Sequence, residues 1–215
     1  MHTHMDNVCT ISFMKRSSEP AVESILVGLP ATFSYTSARA AGLSDRRLYA
    51  LRDAGLIEPL GRGLFARADA VGDADSDLLE IAHRAPQATL CLTTALARHG
   101  LSDAIPSSID VALPRGQRHP RTQAPVTWHS FDPDTFDLGR NDLTLTADLA
   151  IGLYNSERCI IDAFRLRHRE GTETAVEALR RWLRQPGAQP ATLLAMARTF
   201  PKAGPALRST LEILL

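Results

Sequence analysis

Between Phe33 and Arg67 the chain carries a pattern that few folds accommodate: two short helical stretches separated by one glycine, followed by two short apolar runs around a Gly-Arg-Gly turn. A helix-turn-helix has to bring two helices together through a tight turn, which calls for a small residue at the crossing and glycine in the turn. Ala38 lies four residues before Gly42, and Leu48 and Leu51 follow that glycine by six and nine residues, the spacing that seats a second helix on the first. The spacing predicts helices over Thr36–Ala41 and Asp45–Ala54, with Ser44 as the N-cap of the second and Gly55 as its stop. Ile57–Leu60 and Leu64–Ala66 read as the two strands of a hairpin turning at Gly61-Arg62-Gly63, with Phe33–Tyr35 as a further short strand.

At about 100° per residue, Leu48, Leu51 and Gly55 fall on one side of the second helix and Arg46, Tyr49 and Asp53 on the other. Arg47 and Arg52 flank that outward face. Such a helix can lay Arg46 and Tyr49 against base edges, Arg46 in bidentate contact with guanine, while neighbouring arginines hold phosphates. Arg62 at the hairpin tip is placed as a wing residue. Thr36, Arg39, Ser44 and Arg67 complete the expected DNA-binding set. Asp45 and Asp53, on or near the same face, count against it, and winged helices also serve as protein-docking modules.

The formal net charge of zero at first argues against a nucleic-acid partner, but the charge is segregated. Residues 31–68 hold six arginines against Asp45, Asp53 and Glu58, whereas residues 69–82 hold Asp69, Asp73, Asp75, Asp77 and Glu80 with no basic residue. Local charge decides whether a face attracts phosphate. The acidic, glycine-containing stretch Ala68–Asp77 reads as a joint between two parts.

Three segments are expected: a disordered tail over 1–17, a winged helix-turn-helix over 18–70, and a mixed α+β domain over 75–215 ending in a helical tail. Pro20 suits the opening turn of a first helix, whose apolar face is Val22, Ile25, Leu26 and Leu29. In the second part, helices are expected at Ser76–Arg84 and Thr93–His99, and strands at Ile109–Leu113, Val126–Phe131, Leu143–Thr146 and Leu149–Tyr154. From Ser156 on the pattern is helical, with late helices at Ala191–Thr199 and Gly204–Leu214.

The block Ser44-Asp45-Arg46-Arg47-Leu48-Tyr49, followed by Leu56-Ile57 and Gly61-Arg62-Gly63-Leu64-Phe65, resembles the N-terminal domain of the AbiEi family, the antitoxins of type IV abortive-infection toxin–antitoxin pairs. Ile109-Asp110-Val111-Ala112-Leu113-Pro114-Arg115-Gly116 is similar to that family's strand and basic loop. Ser156-Glu157-Arg158-Cys159-Ile160-Ile161-Asp162 is similar to its Ser-Pro-Glu-Arg-Thr helix, with Cys159 where threonine is frequent and without the usual proline. The resemblance implies repression of the protein's own operon through inverted repeats in double-stranded DNA. It also implies neutralisation of a nucleotidyltransferase toxin without assuming direct contact. Operator symmetry calls for two protomers on DNA, although no segment reads as a dimerisation helix.

Elsewhere the sequence points away from catalysis. No His-Glu-x-x-His, phosphate loop or nucleophile elbow is present. A nuclease-like second domain would need an acid-x-Lys strand, and neither Lys15 nor Lys202 fits it. The two enzyme-free alternatives are a regulator and a docking adaptor. Asp132, Asp134, Asp137 and Asp142 lack the spacing of a calcium loop, and His2 and His4 have no third ligand nearby, so neither metal nor cofactor is expected. Asp162 with Arg158 and Arg165 reads as an intrahelical ion pair ahead of a catalytic carboxylate. The loop Pro114–Pro125 carries Arg115, Arg118, His119 and Arg121 and no acid; it is either a second nucleic-acid surface or a solvated basic loop. Tyr154, Trp128 and Trp182 read as core or interface aromatics. Cys9, Cys91 and Cys159 lack metal spacing and are expected as reduced thiols, which with the absence of an apolar span points to a cytoplasmic protein.

Overall fold

The computed structural model describes residues 22–72 and 74–215. The expectations for the tail, for Pro20 and for His2, His4, Cys9 and Lys15 lie outside the described residues.

The chain opens with α1 (Val22–Val27), β1 (Thr32–Ser34), α2 (Tyr35–Ala40) and α3 (Asp45–Asp53), followed by the hairpin β2 (Ile57–Gly61) and β3 (Leu64–Arg67). β3 is the centre of a three-stranded antiparallel sheet, paired with β1 on one side and β2 on the other. Leu26, Leu29, Phe33, Ala38, Leu43, Leu48, Leu51 and Ile57 form its small core. Three helices seated on a hairpin of this kind make a winged helix-turn-helix.

The acidic joint folds into α4 (Ala68–Val71) and leads to α5 (Ser76–Arg84), which Asp75 caps by accepting from the backbone N–H of Asp77 and Leu78. β4 (Thr89–Leu90), α6 (Leu92–Arg98), β5 (Ile109–Pro114), β6 (Val126–Phe131), α7 (Pro133–Phe136), β7 (Arg140–Thr146) and β8 (Leu149–Tyr154) follow. The chain closes with α8 (Ser156–Arg165), α9 (Arg167–Glu170), α10 (Thr172–Leu183), α11 (Pro190–Ala197) and α12 (Gly204–Leu214). The five strands form one mixed sheet in the order β6-β5-β4-β8-β7; β4–β8 and β5–β6 are parallel pairs.

Side-chain alternation along β5 splits the core into two layers. Val111 and Leu113 face Leu78, Ile81 and Ala82 of α5 and Ala85 at its end. Ala112 faces the opposite layer, where α6, α8 and the three late helices bury Leu96, Ile160, Phe164, Leu179, Trp182, Leu193 and Leu207. The fold is therefore α+β, with a helical tail that covers one face of the second sheet. Cys91 and Cys159 are free thiols inside this layer, and burial pushes both well up from the usual thiol range.

At its centre lies Arg158, fully buried. Its Nε donates to Asp162 Oδ2 at 2.9 Å, and its Nη1 donates to the carbonyls of Thr135 and Leu138. The guanidinium is stacked between Tyr154 and Phe200, 4.2 and 4.5 Å from the ring centres, so π faces meet the nitrogen that finds no oxygen. Arg165 Nε donates to the other oxygen of Asp162 at 3.0 Å. Burial pushes the Asp162 carboxyl up, with both guanidiniums opposing. The ion pair read from spacing is present, as a strut between the sheet and the tail.

Three short elements have no counterpart in the sequence reading: α4, β4 and α7. Each has four residues or fewer, too short for periodicity to register.

The winged helix is docked on the second sheet. Leu60, Leu64 and Ala66 of the wing pack on Leu79 of α5, with Leu145 and Leu149 of the β7–β8 hairpin against them. The backbone N–H of Ala31 donates to Asp148 Oδ2 at 3.1 Å in the same hairpin.

Candidate nucleic-acid interface

The turn between α2 and α3 is a glycine-capped helix end. The Leu43 N–H donates to the Ala38 carbonyl and the Gly42 N–H to that of Arg39, with Gly42 at φ +95°, a left-handed conformation that disfavours any side chain. Ser34 caps α2 by accepting from the Ser37 N–H, and Ser44 caps α3 by accepting from the Arg47 N–H. Leu48 and Leu51 seat α3 against Ala38, which is fully buried where the two helices touch.

Those contacts leave Arg46 and Tyr49 exposed on the opposite face, with Thr36 exposed on α2. The two acids that counted against this face are both engaged by neighbours. Asp45 Oδ1 accepts from the Tyr35 hydroxyl at 2.7 Å and lies 3.3 Å from Arg39 Nη1, which also donates to the Leu43 carbonyl. Asp53 accepts from Arg52 at 2.8 Å, and the Arg52 guanidinium lies over the Tyr49 ring. Exposed pairs of this kind add little stability; their effect here is on local charge. Arg46, by contrast, makes no hydrogen bond or ion pair among the described residues. Arg52, expected as a phosphate clamp, and Arg39, expected in the DNA-binding set, are held at the helix ends by these acids and remain partly exposed.

Arg62 stands exposed at the wing tip, between paired Gly61 and Leu64, with Gly63 at φ +68°. The Gly63 carbonyl accepts from the Tyr35 N–H at 2.8 Å, tying the wing to the start of α2. Arg67 is placed differently from the other arginines. Its guanidinium donates to the carbonyls of Val27 and Leu29 and to both oxygens of Asp69, closing the end of α1 onto β3. It acts as an internal strut.

Of the basic loop, Arg118 and Arg121 come beside the wing, in a cleft shared with His83 and Arg84 of α5. Arg115 points to Asp132, 3.9 Å away, outside that cleft. His83 and Arg84 were missed by sequence reasoning because α5 reads as a plain amphipathic helix. Burial and the Arg84 charge hold the His83 imidazole below its usual value.

Three further aromatic or histidine side chains have structural partners. Tyr154 donates to the Phe136 carbonyl, His129 Nε2 lies 2.9 Å from Asp110 Oδ1, and Trp128 stacks on His119. Among the described residues no group of His, Cys, Asp and Glu is arranged to hold a metal ion. None of the described helices is long and apolar enough to cross a membrane.

Residues 30–68, which span the helix-turn-helix and the wing, match a family model described as "Transcriptional regulator, AbiEi antitoxin". Among solved structures the fold is similar to that of the RV2827C protein from Mycobacterium tuberculosis, with a TM-score of 0.52 and 17% sequence identity over 90% of this chain and 78% of that one. No curated protein matches the chain.

Proposed function

We propose that this chain is a DNA-binding transcriptional regulator of the AbiEi antitoxin type, with residues 18–70 as the DNA-binding unit and residues 75–215 as the antitoxin-type domain. The observation that carries the reading is the exposed face of α3, where Asp45 and Asp53 are paired by neighbours and Arg46 has no hydrogen-bond or ion-pair partner among the described residues. A major groove admits such a helix, and an unpaired arginine on it can hold the O6 and N7 of a guanine. Arg46 and Tyr49 then read base edges. Thr36, Arg39, Arg47 and Arg52 lie where the phosphates of the same groove pass, and Arg62 enters at the wing. The capping role of Ser44 places its side chain at the entry of that helix, and Arg118 and Arg121 extend the basic surface beyond it.

The protein represses its own operon through inverted repeats, two protomers to an operator, and opposes a nucleotidyltransferase toxin encoded beside it. It works in the cytoplasm, without cofactor or catalysis of its own.

Fluorescence anisotropy on the duplex upstream of the gene tests the reading. Wild-type protein is expected to prefer that duplex to a scrambled one. Arg46→Ala relaxes the preference by about 1–3 kcal/mol, whereas Arg62→Ala weakens binding to both duplexes and lowers the salt slope by about 1. Wild-type binding without sequence preference sinks the regulator reading. Co-expression with the adjacent gene tests the antitoxin half, which fails if that neighbour is harmless in the absence of this protein.

A further inference from the structure

Two clefts meet where the wing abuts the second domain. The larger, about 590 Å³, is lined by His83, Arg84, Arg118, Pro120 and Arg121. The smaller, about 210 Å³, is lined by Arg62, Glu80, Arg84 and residues 121–123. Arg84 and Arg121 belong to both, so four arginines from three separate segments converge on one continuous concavity.

One buried carboxylate organises them. Glu80 is 1% exposed. Its Oε1 accepts from Arg84 Nε at 2.7 Å, and its Oε2 accepts from the backbone N–H of Gln123 and Ala124 at 2.7 and 3.0 Å. Arg84 in turn donates through Nη2 to the Arg62 carbonyl at the wing tip, 3.2 Å away. Glu80 thus fixes the end of the basic loop directly and the wing tip through Arg84. The wing comes so close that a Cβ on Gly61 would overlap the carboxylate, with Glu80 Cδ only 3.0 Å away.

Since its oxygens are taken up by these donors, Glu80 offers no acceptor to a ligand and neutralises one of the four guanidiniums. The cleft is left with a surplus of forked donors, the chemistry that suits phosphate oxygens.

We propose that this seam is a phosphate-binding cleft, assembled by Glu80 as a positioning residue, that takes the backbone of duplex DNA as it leaves the wing. The proposal rests on the DNA-binding reading above.

The sign of one substitution separates it from a merely basic surface. Glu80→Gln removes a negative charge, so general electrostatics calls for tighter DNA binding. Loss of positioning calls for the opposite: the carboxamide must turn a donor toward either Arg84 or the backbone N–H of Gln123 and Ala124, so the wing tip or the basic loop loses its anchor and the four arginines no longer converge. The experiment is anisotropy of the full chain on the upstream duplex and on a scrambled one, each across a salt series. Arg121→Ala is expected to lower the salt slope by about 1 on both duplexes. Glu80→Gln is expected to weaken binding and lower the slope on both, with the ratio between duplexes unchanged because α3 is untouched. In the Glu80→Gln background, Arg121→Ala should have little further effect. Gly61→Ala breaks the same contact from the wing side with no change of charge and should reproduce the loss, which covers the case of a Glu80 variant that does not fold. Unchanged or tighter binding by Glu80→Gln, or an unchanged slope for Arg121→Ala, overturns the proposal. Wild-type protein that shows these slopes without preferring the upstream duplex strikes the regulator reading and leaves the cleft standing.

Discussion

The Tyr35 hydroxyl donates to Asp45 Oδ1 at 2.7 Å, across the turn between the two helices of the helix-turn-helix. The bond draws the first carboxylate of α3 toward α2, where Arg39 also meets it. It raises the Tyr35 phenol above its usual value, because the ionised phenol would face that carboxylate without a proton to share. Tyr35→Phe should therefore release Asp45 to oppose the approaching phosphates and weaken DNA binding a few-fold. Adding Asp45→Asn should restore the affinity, a coupling readable in a double-mutant cycle. Simple additivity of the two would show that the bond does not act through the Asp45 charge.

Leu48 is 2% exposed and is one of two leucines that seat α3. Leu48→Ala should cost about 2–5 kcal/mol. Both tryptophans, Trp128 and Trp182, lie in the second domain, so their fluorescence reports unfolding away from the mutation. Because Leu60 and Leu64 are packed on Leu79, the tryptophan transition in urea should move with the mutation. An unmoved transition would mean that the two parts unfold independently.

Arg158 and Asp162 face each other with almost no exposure of either side chain. Removing Arg158 leaves Asp162 buried with Arg165 as its remaining ion-pair partner, and Arg158→Ala should cost about 3–5 kcal/mol. Replacing both by apolar residues often repairs damage of this kind. Here it should repair only part, since the carbonyls of Thr135 and Leu138 lose their donor whatever occupies position 162. Thermal melts of Arg158→Ala and of Arg158→Met with Asp162→Leu decide the matter; full recovery in the double variant would show those two carbonyls to be energetically unimportant.

His83 is held neutral in the folded protein by burial and by Arg84. Its folded pKa lies below the unfolded value of about 6.5, so the unfolded chain takes up the proton first as pH falls. The stability this group contributes is present above that value and is lost as pH falls through the depressed folded pKa. Urea midpoints between pH 7.5 and 5 should fall more steeply for the wild type than for His83→Gln. Parallel curves would place the pH dependence elsewhere.

The helix-turn-helix was legible because its determinants are local. Gly42, the Ser44 cap and the spacing of Leu48 and Leu51 all act within one turn and two helices, and each appears where periodicity placed it. What was hidden depends on approach between distant segments. Glu80 reads as one more acid of the acidic run 69–82 until Gly61 and the loop at 122–124 close over it. Arg67 reads like any other arginine of a basic segment, and only its contacts with Val27, Leu29 and Asp69 set it apart. β4 has two residues, yet it joins β5 to β8 in the middle of the second sheet. A strand that short carries no pattern, and its place is dictated by the partners on either side.

The apolar seam under the wing has a consequence for any effort to treat the recognition unit as a portable cassette. Leu60, Leu64 and Ala66 turn their faces to Leu79, and the Ala31 N–H finds its acceptor in Asp148. Grafting residues 18–70 onto another effector would bare that underside to water, and the chimera would tend to self-associate through it. Under the DNA-binding reading proposed above, a change of target sequence is better attempted by editing the outward positions of α3 within the intact chain.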